Sequence, residues 1–176
     1  MTHRNDLEVL LDAATIARRV RELGAQISAD YRGRPLRLVG ILKGAWVFLA
    51  DLIRHLDLEL TVDFLSIASY ANHSHPTGAV KITKDLDQSI EGLDVLVVED
   101  ILDTGNTFEY LRGMLEAHKP RSLKVVTLLD KPSRRVRPVH ADYVGFTIAD
   151  VFVVGYGLDY AQQYRNLPDV RVLRKS

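Results

Sequence analysis

Three acids, two threonines and a glycine fall close together in Val95-Leu96-Val97-Val98-Glu99-Asp100-Ile101-Leu102-Asp103-Thr104-Gly105-Asn106-Thr107. The two halves of this string suit different chemistry. Thr104 to Thr107 is short, glycine-permissive and leads into a helical pattern, so its backbone N–H groups, its hydroxyls and the helix dipole suit a phosphate monoester. Carboxylates repel phosphate. Glu99 and Asp100 instead suit hydrogen bonds from sugar hydroxyls or a hydrated divalent cation, and Asp103 suits a proton acceptor. Sugar plus phosphate points to a ribose phosphate. An acidic cap accounts for the same residues differently, with Asp103 as N-cap and Thr104 to Thr107 as the first helical turn.

Other residues carry weaker signals. Lys43 directly follows the apolar run Leu36 to Leu42 and precedes Gly44. It fits either a second anion site or a solvated lysine at a strand end. Lys131 stands after the apolar run Leu123 to Leu129 and is equally readable as a ligand or a surface charge. Phe152, in a strand-like run two residues past Asp150, reads locally as a core aromatic. Asp159 and Arg165 are six apart, beyond one helical turn, and nothing local links them. Two patterns mislead. Gly155-Tyr-Gly157 opens like a dinucleotide fingerprint, but Tyr160 takes the place of its third glycine and only about 16 residues follow. No Walker loop is present. His73 and His75, without further spacing-matched ligands, read as loop residues.

These residues need a frame to hold them. After the candidate cap Asp12, apolar residues at Ala13, Ile16, Ala17, Val20, Leu23, Gly24 and Ile27 predict a helix with one buried stripe. Leu36 to Leu42 predicts a strand, Ala45 to Leu56 a helix, and Leu60 to Ser66 a half-buried strand with Leu60, Val62 and Phe64 alternating against Thr61 and Asp63. Ser69 to Thr77 is polar and aperiodic, a loop longer than most connections, of the kind that serves as a lid or is disordered. Ala79 to Thr83 reads as a short strand. Leu93 to Val98 has the continuous apolar character of a strand buried on both faces. A helix begins near Thr107 and ends by Pro120; Leu123 to Leu129, Tyr143 to Ile148 and Val151 to Val154 complete the strands. Alternating strands and helices predict an α/β fold with a mainly parallel sheet flanked by helices.

The chain has 176 residues, 47% hydrophobic and 26% charged, which fits one domain spanning 1–176. The absence of cysteine removes thiolate chemistry and disulfides and fits a reducing compartment, so cytoplasm is expected. The 23 basic and 23 acidic residues cancel, which argues against a nucleic-acid or membrane partner. No continuous apolar segment of membrane-spanning length is read, and none of the signal-peptide type.

The full Glu99-to-Thr107 string resembles the phosphoribosyl diphosphate (PRPP) motif of the type I phosphoribosyltransferases. Leu42-Lys43-Gly44, Ser69-Tyr70, Leu129-Asp130-Lys131 and the string from Val151 to Pro168 follow in the order seen in the hypoxanthine-guanine branch, so the likeness runs from about Leu36 to the end. It implies the type I fold, with a small hood formed by the terminal segments, and a purine salvage glycosyltransferase acting on PRPP and a purine base. Implied roles are Asp103 as base; Glu99, Asp100, Thr104, Gly105, Asn106 and Thr107 on ribose and 5′-phosphate; Lys43, Gly44 and Arg165 on diphosphate, with Leu42-Lys43 a cis peptide. Lys131, Phe152 and Val153 would bind purine, Glu99, Asp100 and Asp159 would serve Mg2+, and Ser69 and Tyr70 would belong to a lid. Arg134 and Arg135 are further candidates for diphosphate. Asn106 stands where certain members have lysine. A homo-oligomer, dimer or tetramer, is expected. A regulator retaining the PRPP fold to sense nucleotides and bind RNA or DNA is the competing expectation, disfavoured by the neutral charge. A receiver-like phosphoryl-transfer domain leaves Lys131 and the C-terminal string unexplained.

Overall fold

The computed structural model describes residues 7–69 and 80–174. Strand β1 (Leu7–Leu11) leads into helix α1 (Ala13–Asp30), whose N-cap is Asp12, its side chain accepting a 2.7 Å bond from the Thr15 amide. Ile16, Val20, Leu23 and Ile27 form the buried stripe expected from their spacing. Then come β2 (Leu36–Leu42), α2 (Trp46–Ile53), β3 (Leu60–Ser69), β4 (Val80–Lys84), β5 (Asp94–Leu102), α3 (Asn106–Ala117), β6 (Ser122–Asp130), β7 (Tyr143–Thr147), β8 (Val153–Val154) and β9 (Val170–Leu173).

Six strands form one sheet in the order β4-β3-β2-β5-β6-β7, parallel except for β4 against β3. The side chains of its central strands alternate between two apolar layers. Leu38, Leu96, Val98 and Val126 meet α1 and α2, whereas Val39, Val95, Val97 and Val125 meet α3 through Phe108, Leu111 and Leu115. Strand order reverses between β2 and β5, and at such a switch point the loops leaving adjacent strands part to open a crevice. β1, β9 and β8 form a separate antiparallel sheet, with Leu7 opposite Leu173 and Val153 opposite Val172. This sheet joins the two ends of the described chain, matching the expected hood of terminal segments.

Two expectations fail in detail. β5 continues through Leu102, so Glu99 and Asp100 are strand residues and do not follow the strand. In β3 the alternation runs the other way: Val62 is exposed, whereas Asp63 and Leu65 are buried. Asp63 is tolerated there because Arg37 and Lys84 both approach within 3.7 Å and the Phe64 and Asp87 amides donate to it. No described helix is long and apolar enough to cross a membrane.

Candidate active site

The reversal of strand order brings Lys43-Gly44 and Asp100 together. In register, Gly40 lies opposite Val98, so two residues further on the end of β2 reaches the level of Asp100. The Leu42-Lys43 peptide is cis, as the resemblance implied. A Cβ on Gly44 would overlap the Asp100 carboxylate, so only glycine allows this approach. Lys43 is exposed, and its Nζ lies 3.5 Å from Gln162 Oε1. Arg165 Nη2 lies 3.4 Å from the same oxygen. Two candidate anion-binding cations thus converge on one neutral acceptor, a role for Gln162 that its sequence did not reveal.

Asp159 and Arg165 are linked after all. Their side chains form a 2.7 Å ion pair, and Arg165 Nη1 donates to the Gly157 carbonyl at 2.7 Å. The chain between them turns back through left-handed residues at Ala161, Gln162 and Tyr164, a path no helical spacing rule anticipates.

Glu99 and Asp100 lie inside the end of β5. Glu99 is buried, and its Oε2 has no hydrogen-bond partner among the described residues. Burial, then the neighbouring Asp100, pushes its carboxyl well above the usual range. Burial also pushes half-buried Asp100 up to about 6, opposed by the Ile101 amide, its own amide and Arg165, while Asp159 adds to the rise. Among the described residues no three acidic or imidazole side chains converge into a ready metal cage. An unsatisfied buried carboxylate oxygen beside a second carboxylate nevertheless fits a hard cation that takes its other ligands from substrate and water.

Asp103 is not the helix N-cap. Gly105 holds that position with φ of +86°, and no side chain caps the helix. A Cβ on Gly105 would also collide with Val139. The first turn of α3 leaves N–H groups without intrahelical partners, and Thr104, Asn106 and Thr107 surround them, the Asn106 amide lying 3.5 Å from Thr104 Oγ1. The Thr104 carbonyl accepts from the Val136 and Arg137 amides, which ties the segment after β6 to this turn.

Asp103, released from capping, lines a cavity of about 530 Å³ together with Asp100, Lys131, Arg134, Asp150, Phe152, Val153, Leu158 and Asp159. Arg134 Nε lies 2.9 Å from Asp103 Oδ1, close enough for an ion pair but off the line of a hydrogen bond. Arg135 donates to the Asp103 carbonyl at 2.6 Å and pairs with Asp130. Both arginines therefore have partners around Asp103 and Asp130. Lys131 is buried, and its Nζ donates to the Val151 carbonyl at 2.5 Å. Phe152 is 40% exposed and meets Tyr160 edge-on at 5.7 Å, so it is not a core aromatic. Val153 is buried in β8. Asp150, unremarked in the sequence, pairs with Arg134 at 3.3 Å. Ser69 ends β3; Tyr70, His73 and His75 fall outside the described residues.

The phosphoribosyl transferase domain family matches residues 6–161. A hypoxanthine-guanine phosphoribosyltransferase of Bacillus subtilis is 49% identical over 172 residues, covering 97% of this chain and 96% of that protein. One from Staphylococcus aureus is 52% identical over 171 residues, covering 97% and 96%. A crystal structure of a Staphylococcus aureus hypoxanthine phosphoribosyltransferase superposes with a TM-score of 0.93 at 50% identity, covering 99% of this chain and 96% of that one. Likeness of this depth extends over nearly the whole chain, and with it the chain belongs to the hypoxanthine-guanine branch of the type I phosphoribosyltransferases.

Proposed function

We propose that the protein transfers the 5-phosphoribosyl group from PRPP to hypoxanthine and guanine, releasing diphosphate and giving the nucleoside monophosphate. One observation carries this reading: a single cavity collects a buried ammonium, an exposed aromatic ring and a carboxylate, at Lys131, Phe152 and Asp103. An ammonium donates hydrogen bonds and never accepts, which suits a base with a carbonyl at position 6. The Phe152 ring offers a stacking face, and the Val153 backbone lies beside it. Asp103 would accept the proton that the purine nitrogen sheds as it bonds to C1.

The phosphate turn Thr104-Gly105-Asn106-Thr107 would hold the 5′-phosphate, and Glu99 and Asp100 the ribose hydroxyls. Lys43, the backbone at Gly44 and Arg165 would clamp the departing diphosphate, whose negative charge must be offset for the bond to C1 to break. Mg2+ held through Asp100 and Glu99, with Asp159 toward a second ion, would supply Lewis-acid neutralisation of the same charge. Carboxylates beside C1 favour the positive charge that grows on the sugar as diphosphate leaves. Ser69 and Tyr70 would belong to a segment that closes over the site and excludes water.

Self-association is supported by an apolar cleft of about 620 Å³ lined by Ile16, Ala17, Trp46, Val47, Leu167 and Pro168, over which Trp46 stays 49% exposed. The direct test is diphosphate release with PRPP, Mg2+ and each nucleobase in turn. Turnover with hypoxanthine and guanine is expected, and none with any purine would overturn the assignment.

A further inference from the structure

A phosphate monoester carries nearly two negative charges at neutral pH, yet the turn that would receive it, Thr104-Gly105-Asn106-Thr107, contains no cation. Its nearest charged neighbour on the same helix is Glu109, in the first turn, which opposes an anion there. Arg137 corrects this balance from another part of the chain. Its Nε donates to Asn106 Oδ1 at 2.9 Å and lies 3.3 Å from Glu109 Oε2. Its backbone is also anchored, since the Arg137 amide donates to the Thr104 carbonyl at 3.2 Å and the Val136 amide to the same oxygen at 2.9 Å. The segment cannot drift away without breaking those bonds, and Gly105 packs directly beneath it, a Cβ there reaching 3.3 Å from Arg137 Cβ.

We infer that Arg137 is a ligand of the 5′-phosphate and supplies the positive charge that Asn106 lacks. Both of its side-chain contacts among the described residues run through Nε, so the two terminal nitrogens of the guanidinium, the pair suited to bidentate phosphate contact, are not committed to them. The Nε bond has a second effect. It occupies the amide oxygen of Asn106, which leaves the amide NH2, the donating end, for the anion. Arg137 also pairs with Glu109, so the carboxylate that would repel the phosphate is offset by the same side chain.

This inference rests on the phosphoribosyl transfer proposed above, and the two are separable by experiment. Steady-state kinetics and equilibrium binding would be measured for wild-type enzyme, Arg137→Ala, and Arg137→Ala combined with Asn106→Lys. Arg137→Ala is expected to raise the KM for PRPP and the Kd for inosine monophosphate by about 5- to 50-fold, the range of one lost charge-assisted contact at a part-exposed site. The KM for hypoxanthine and the Kd for magnesium diphosphate should stay within about twofold, since neither carries the 5′-phosphate. Asn106→Lys in that background should restore most of the nucleotide affinity, because it returns the charge from the helix side. Unchanged affinity for inosine monophosphate, or equal weakening of inosine monophosphate and diphosphate, would reduce Arg137 to a strut between segments. A wild-type enzyme that neither binds inosine monophosphate nor consumes PRPP would instead remove the transfer reaction, and Arg137's role with it.

Discussion

Arg134 Nε sits 2.9 Å from the Oδ1 of Asp103, while its Nη1 reaches Asp150 at 3.3 Å. The proposed base thus faces a cation across the mouth of the cavity proposed for the purine. Arg134 is 46% exposed on its side chain and can swing toward solvent at little cost when a base enters. Asp103 would then be left to accept the purine proton.

Asp103→Asn keeps the shape of this carboxylate and removes its capacity to take a proton. Catalysis of that kind is typically worth about 10²- to 10⁴-fold, so kcat should fall by that factor while PRPP binding stays nearly intact. Single-turnover rates and PRPP titration separate the two effects. A variant with wild-type kcat would make Asp103 only a partner for Arg134.

Phe152→Ala tests the stacking face. The ring is 40% exposed, so its removal should lower the melting temperature little, whereas stacking a base on an aromatic ring is worth about 1 to 3 kcal/mol. The KM for hypoxanthine should rise about 5- to 100-fold with the KM for PRPP unmoved. Loss of folding with no selective effect on purine would restore the core reading.

How much of this was legible in the residues varies with sequence distance. The bounds of β2 and the Asp12 cap were readable because both rest on local pattern and local hydrogen bonding. β1 and β9 were missed. Leu7–Leu11 is mostly exposed and shows no alternation, and its partner Leu173 lies at the other end of the chain. Apolar alternation in β3 points to the wrong buried face, because an ionic cluster with Arg37 and Lys84 buries Asp63. At the site, residue types and strand-end positions marked Asp103, Lys131 and Arg165. Their partners are Arg134, in the short 3-10 turn Pro132–Arg134, Val151, between β7 and β8, and Gln162, in a run of left-handed residues, and no periodicity encodes these paths.

The buried acids make metal binding and stability depend on pH. Asp100 has its folded pKa raised to about 6 from an unfolded value near 3.8, chiefly by burial, and Glu99 shifts in the same direction. For an acid shifted upward, the folded state binds more protons, so this group's contribution to the stability of metal-free protein is fully present below its unfolded value and is lost as pH rises through the folded one. The loss from Asp100 falls between its unfolded value and about pH 6, and Glu99 acts in the same direction. A cation on the same carboxylates offsets it. Mg2+ should therefore raise the melting temperature more at pH 7.5 than at pH 5, and an equal rise at both would place the ion elsewhere.

Lys131 gives the sharpest test of which base the cavity accepts. Its Nζ spends one proton on the Val151 carbonyl at 2.5 Å, and an ammonium has three, so two remain for the base. The residue is 5% exposed, which leaves water little room to satisfy them. A carbonyl at position 6 of hypoxanthine or guanine can accept such a proton; the amino group of adenine cannot. A buried donor left facing an amine costs about 1 to 3 kcal/mol, and more when charged, so adenine should be disfavoured by at least about tenfold in kcat/KM. Lys131→Gln, whose amide both donates and accepts, should narrow that gap while lowering the rate with hypoxanthine. Competition assays with the two bases at equal concentration would read it directly. If wild-type protein used adenine as readily as hypoxanthine, Lys131 would not be reading the carbonyl, and the purine assignment would fail even if PRPP still bound at the phosphate turn.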